Sequence, residues 1–142
     1  MSKQIDPRGP RFGAVVTTVV VAVALVQLPS TTTYVLLAAQ LIAHGLGAFV
    51  GLSAQPYGIL YRKLVAPRLA KPTELEDEAP PKFAQLVGFI FAAAGLAALA
   101  LDQVAVAQVI VALHLAASFL NAAFNFCLGC QMYLIGKRIV TK

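Results

Sequence analysis

The chain has no tryptophan, only two histidines and two cysteines, and just 12% Asp, Glu, Lys and Arg in its 142 residues. Soluble domains carry about twice that share of charge. With 59% apolar residues, a water-soluble fold of this size would be unable to hide its apolar surface. The two cysteines, Cys127 and Cys130, stand three positions apart. Bridging them closes a trivial loop, which excludes a disulfide framework as the source of stability. The net charge of +5 does not point to nucleic acid, because the cations sit in short clusters between long apolar runs and not along one helix face.

Those apolar runs carry the architecture. A hydrocarbon core of about 30 Å needs roughly 20 helical residues, and four stretches have about that length: 12–28, 34–52, 83–101 and 104–133. The expected fold is a single all-α transmembrane domain over 1–142, with four transmembrane helices arranged as two antiparallel hairpins. Pro29 with Ser30 and the threonines that follow makes the first turn, and Asp102-Gln103 the second. Connections this short force antiparallel neighbours. A secretory signal is the competing reading of the first run, but its Ala22-Val23-Ala24 lies inside the apolar core and not after it.

All eleven Lys and Arg residues fall in the N-terminal tail, the segment joining the second and third runs, or the C-terminus, and neither hairpin turn has one. Because cytoplasmic loops hold the excess of cations, both termini and the 62–81 loop are expected on the cytoplasmic side of the membrane. That loop contains Pro67, Pro72, Pro80 and Pro81 and the acidic Glu74, Glu76, Asp77 and Glu78. It reads as a solvated connector, or as a docking surface for a cytoplasmic partner. The stretch Ile59–Val65, after a break at Gln55-Pro56-Tyr57-Gly58, reads as an interfacial anchor with Arg62 and Lys63 toward phosphates. Pro10-Arg11-Phe12 and Pro81-Lys82-Phe83 stand half the chain length apart, as do Gly58 and Gly129. This is the mark of a possible parallel tandem repeat.

Polar residues inside the spans are the candidates for function. His114, Ser118, Asn121 and Asn125 follow helical spacing on the last span, and Gln40, His44, Gly47 and Gly51 do so on the second. The two stripes are expected to face each other inside the bundle, where buried hydrogen bonds and small residues hold helices together. Neutral imidazole is cheaper to bury than a charge, so helix packing and a proton, metal or substrate role are both open for His44 and His114. Asp102 has no second carboxylate nearby in sequence for acid–base work. Cys127-Leu128-Gly129-Cys130 is expected at the cytoplasmic end of the last span, where a thiol pair can interchange dithiol and disulfide, accept sulfane sulfur or bind a soft metal. A structural zinc site would need two further ligands that the neighbourhood does not supply.

The segments Asp6-Pro7-Arg8-Gly9-Pro10-Arg11-Phe12, Pro56-Tyr57-Gly58 with Arg62 and Lys63, Glu74-Leu75-Glu76-Asp77 before Pro80-Pro81-Lys82-Phe83, and Phe126-Cys127-Leu128-Gly129-Cys130 with Tyr133 together resemble the bacterial membrane family called domain of unknown function 4395. The resemblance implies a multi-span inner-membrane protein of no assigned activity that keeps company with rhodanese-like and thioredoxin-like proteins, and so sulfur handling. The resulting expectation is a membrane protein whose Cys127 and Cys130 handle sulfur or thiol redox equivalents, alone or with a transport path lined by Gln40, His44, His114, Ser118, Asn121 and Asn125. No cofactor is expected, and an enzyme is less expected than a non-enzyme. A scaffold subunit of a larger membrane complex and a soft-metal transporter that uses the cysteines are the alternatives. Four spans are few for a monomeric transporter, so a homodimer or larger complex is expected.

Overall fold

The computed structural model describes residues 3–141. Four helices are long and apolar enough to cross a bilayer: α1 (Arg8–Val26), α2 (Thr31–Gly45, extended by a π-helical turn, Leu46–Val50), α4 (Ala79–Ala100) and α5 (Val104–Phe124). Two shorter helices, α3 (Pro56–Leu60) and α6 (Leu128–Val140), follow α2 and α5. The chain is therefore an all-α, multi-pass membrane protein.

Three starts differ from the sequence expectation, α2 opening at Thr31 with the threonines inside its first turn. Helix α1 opens at Arg8 and α4 at Ala79, each a turn earlier than hydropathy indicates, so that Pro10 and Pro81 lie inside the first turn. Proline is tolerated there, since the first-turn N–H groups have no intrahelical partner. The last span differs more. It is two helices, because α5 stops at Asn125, whose φ of 55° is left-handed, and α6 restarts at Leu128.

The helix order sets how the two polar stripes face each other. Helix α1 packs against α2 and α5, and α4 packs against α2 and α5. Hence α2 and α5 occupy opposite corners and do not lie side by side; their polar side chains meet only across the centre. The apolar core, Val21, Ala24, Leu37, Ala98, Leu99, Ala107 and Val111, fills the half nearest the two short turns. Small residues there let the backbones approach, which is how helices associate without a hydrophobic drive between them. Asp102, also left-handed, closes the second turn: its N–H donates to Leu99 O and that of Gln103 to Ala98 O, the pattern of a Schellman ending.

At the other end the loop is not a free connector. Gln4–Ile5 (β1) and Glu76–Asp77 (β2) pair antiparallel, with Gln4 opposite Asp77 and Ile5 opposite Glu76. The Glu78 N–H donates to Lys3 O at 2.9 Å. Asp77 also accepts from the Ala79 N–H at 2.9 Å, capping the start of α4. Periodicity could not reveal this clasp, since each strand is two residues long and its partner lies across the chain.

Candidate functional site

Helix α6 begins with the cysteine pair. Cys127 is its N-cap, with Sγ accepting the Cys130 N–H at 3.2 Å. The two sulfurs form a disulfide, with Cα atoms 5.1 Å apart. Both residues are half-buried. What fixes the helix is Gly129, buried against α4: a Cβ there would lie 2.6 Å from the Ala84 Cα, closer than any side chain permits. The Phe83 and Tyr133 rings, 5.9 Å apart, continue the α4–α6 contact.

A groove of about 340 Å³ runs over the disulfide, lined among others by Arg11, Asp77, Gln85, Asn121 and Asn125. Arg11 joins α1 to the end of α5 beside it. Its Nε donates to Ala122 O at 3.2 Å and its Nη2 to Ala123 O at 3.5 Å, two terminal carbonyls of α5 that have no partner within the helix. A cation is favoured at that end by the helix dipole as well. The chain can therefore stop α5 at Asn125 and turn back toward the groove; asparagine tolerates the left-handed conformation that the turn requires.

Below the disulfide lies a second cavity, about 280 Å³, bounded by Cys127 and Gly129 at one end and by His44 and His114 at the other. The histidine rings are 5.3 Å apart, and Phe91 stacks on His114 at 5.6 Å with an interplanar angle of 14°. Nδ1 of His44 lies 2.8 Å from Gln85 Oε1, while its Nε2 is buried without a hydrogen-bond partner. The ring fits only because residue 88 is glycine: a Cβ on Gly88 would stand 2.8 Å from three of its atoms. Ser118 donates back to His114 O at 2.9 Å, so its hydroxyl is used within the helix.

Of the residues singled out by spacing, Gln40, His44, Gly47, His114 and Ser118 are buried. Asn121 is half-buried and borders both the groove and the cavity, whereas Asn125 is exposed and belongs to the groove alone. Gln40 is fully buried but lines neither space. Sequence reading missed Gln85, which lines both, and Arg11 as a helix cap. A single amide in the otherwise apolar run of α4 was the available signal for Gln85; nothing local marks Arg11, whose acceptors are on another helix.

The clasp flanks this site. The Tyr61 hydroxyl donates to Asp6 Oδ2 at 2.8 Å, Arg8 pairs with the same carboxylate at 2.9 Å, and Arg8 Nη2 reaches Ala70 O at 3.0 Å. Donation by Arg8 holds the Asp6 carboxyl below its ordinary range, against the opposing effect of burial. Burial pushes the Tyr61 hydroxyl up, helped by its bond to the Asp6 carboxylate. Among the described residues no group of three or more His, Cys, Asp or Glu side chains is placed to hold a metal ion.

A family model, Domain of unknown function (DUF4395), matches residues 5–138, and the chain belongs to that family. No curated protein and no solved structure matches it.

Proposed function

We propose that this protein is a thiol–disulfide exchange protein of the bacterial plasma membrane, with Cys127 and Cys130 as its reacting pair and a soluble thioredoxin-like or rhodanese-like protein as its partner. The observation that carries the reading is the position of the pair. It starts a helix, where aligned N–H groups favour a thiolate and lower the cost of making the nucleophile. It also lies in an open groove, where an approaching sulfur can reach it. Capping alone does not account for cysteine here, since sulfur is a weak acceptor and Ser, Thr, Asp or Asn would cap better.

Among the described residues the cations lie at the end of the bundle that holds this groove, or on the segments leading from it, which supports a cytoplasmic location for the pair by the charge rule. Partner thiolate attack on one sulfur releases the other as a thiol and forms a mixed disulfide; a second thiol of the partner resolves it. In this direction the membrane protein is reduced and the partner oxidised, with two electrons passed per cycle. The test is trapping: a Cys130→Ser variant expressed in cells accumulates a mixed disulfide through Cys127 that a Cys127→Ser/Cys130→Ser variant does not. If neither single-serine variant captures a thiol protein, or if an impermeant maleimide labels the reduced pair from outside intact cells, the proposal fails.

A further inference from the structure

The exchange reading leaves unexplained where the electrons go once the pair is reduced, and the cavity beneath Cys127 bears on that question. This inference rests on that reading. No charged side chain lines the cavity, so its occupant is uncharged. Its wall includes Leu113 and Met132, which are 54% and 53% exposed, and Leu113 stands on the membrane-crossing α5, so the cavity has a side wall that an apolar molecule in the bilayer can meet. Its volume of about 280 Å³ suits a ring and not a long chain, sites for small molecules beginning near ~300 Å³.

The polar end narrows the chemistry. Gln85 Oε1 accepts, so the His44 proton is on Nδ1, and the ring, which lines the cavity, keeps its acceptor at Nε2. That atom is buried and has no partner. An unmet buried acceptor costs about 1–3 kcal/mol, and a ligand hydroxyl would meet it. The stacked Phe91 and His114 rings shape this end for a flat group. A flat, uncharged, lipid-borne molecule that bears a hydroxyl in one redox state and borders a dithiol is of one chemical class.

We infer that the cavity binds the ring of a lipid-soluble quinone, and that the Cys127–Cys130 dithiol reduces it. Two S–H bonds break and one S–S bond forms; the two electrons and two protons pass to the quinone, whose carbonyl oxygens become hydroxyls. One new hydroxyl donates to His44 Nε2. Quinones are strong enough oxidants to drive protein dithiols to disulfides. The soluble partner restores the dithiol, so that electrons run from cytoplasmic thiols into the membrane.

The experiment uses the full chain in lipid nanodiscs, reduced, freed of reductant and kept anaerobic. It adds a short-tailed ubiquinone, whose ring carbons are all substituted so that thiols cannot add to it. Quinol is read by absorbance and the cysteines by alkylation mass. The expected result is one quinol per protein, none with Cys127→Ser or Cys130→Ser, and a rate lowered about tenfold, one hydrogen bond's worth, by His44→Leu. Gly88→Val, which displaces His44, gives a similar loss. Exchange with a soluble dithiol, read on the same samples, stays within about twofold. Cysteines that cycle with the soluble dithiol while no quinol forms, or quinol formed equally fast by both cavity variants, overturn the quinone inference and leave the exchange reading standing. Cysteines inert to both reagents sink the exchange reading itself. Should the variants misfold, a photoreactive azidoquinone decides on the wild-type protein: label on Leu113–Asn121 or Leu128–Met132 supports the site, and label confined to other lipid-facing segments refutes it.

Discussion

Helices α3 and α6 hold equivalent places: each follows the second long helix of its half and packs on the first, α3 on α1 and α6 on α4. Each also opens with a side chain that accepts a third-position N–H. In α3 the acceptor is Gln55 Oε1, 2.9 Å from the Gly58 nitrogen; in α6 it is Cys127 Sγ, 3.2 Å from that of Cys130. An amide oxygen completes the first site, and its residue is buried. The second uses a poorer acceptor, joined to another sulfur and half-buried in a groove. Two helix starts of one design thus separate what folding needs from what chemistry needs.

Serine replacement breaks the comparison hardest. Cys127→Ser keeps a cap, and a better one, so insertion and thermal stability in detergent should hold or improve by up to about 1 kcal/mol, while thiol exchange falls to background. Gln55→Ala should do the reverse: stability drops by roughly 0.5–2 kcal/mol, and exchange per folded molecule is unchanged. If Gln55→Ala abolishes exchange as fully as Cys127→Ser does, the two helix starts are not separable and the assignment of chemistry to one of them is wrong.

The glycines sharpen the same contrast. A Cβ on Gly129 meets the Ala84 backbone at 2.6 Å, whereas one on Gly58 meets Arg62 Nη1 and Leu52 O at 3.4 Å. Gly129→Ala should therefore lift α6 from α4, cost about 1–3 kcal/mol and slow exchange by displacing the pair. Gly58→Ala should cost less than about 1 kcal/mol. Melting curves and exchange rates of the two variants, measured together, test this; equal losses would mean that α6 is no more tightly seated than α3.

The long spans, the concentration of cations at one end and the cysteine pair were all legible in the sequence, because each is a local signal: run length, charge and spacing. The buried stripe residues were legible for the same reason. What escaped depended on distance in the chain. Hydropathy runs through Phe124-Asn125-Phe126 without a dip long enough to show a break, so the restart of the helix at Leu128 rests on one left-handed asparagine and on Arg11 reaching over from α1. That α2 and α5 stand on opposite corners could not be read from two stripes of matching period, since either arrangement buries both. Glu76 and Asp77 looked like solvated charge; their strand partner is the N-terminal tail.

Arg11 ties the cysteine side of the comparison to the first helix, with a smaller expected effect. Arg11→Ala leaves the Ala122 and Ala123 carbonyls without their donor, and the loss of a cation at a helix C-terminus is worth about 0.3–1 kcal/mol. Hydrogen exchange should rise at the end of α5 and the start of α6, with α3 unaffected. Equal exchange at both helix starts would show that the cap is not specific to the cysteine half.

The clasp gives the smallest effect, and one separable by pH. The folded Asp6 carboxyl titrates below its ordinary value of 3.8, chiefly because Arg8 donates to it. A carboxyl lowered in the folded state contributes stability that is complete above the unfolded value and is lost as pH falls through the folded one. Between neutrality and about pH 5 the clasp should thus add a constant increment, which fades only below about pH 4. Protection of the N-terminal tail from limited proteolysis follows that increment directly, and Asp6→Asn should remove its acid dependence while leaving thiol exchange at neutral pH unchanged. A tail whose protection already declines between pH 7 and pH 5 would have to be held by some group other than Asp6, since no carboxylate with a lowered folded value can titrate there.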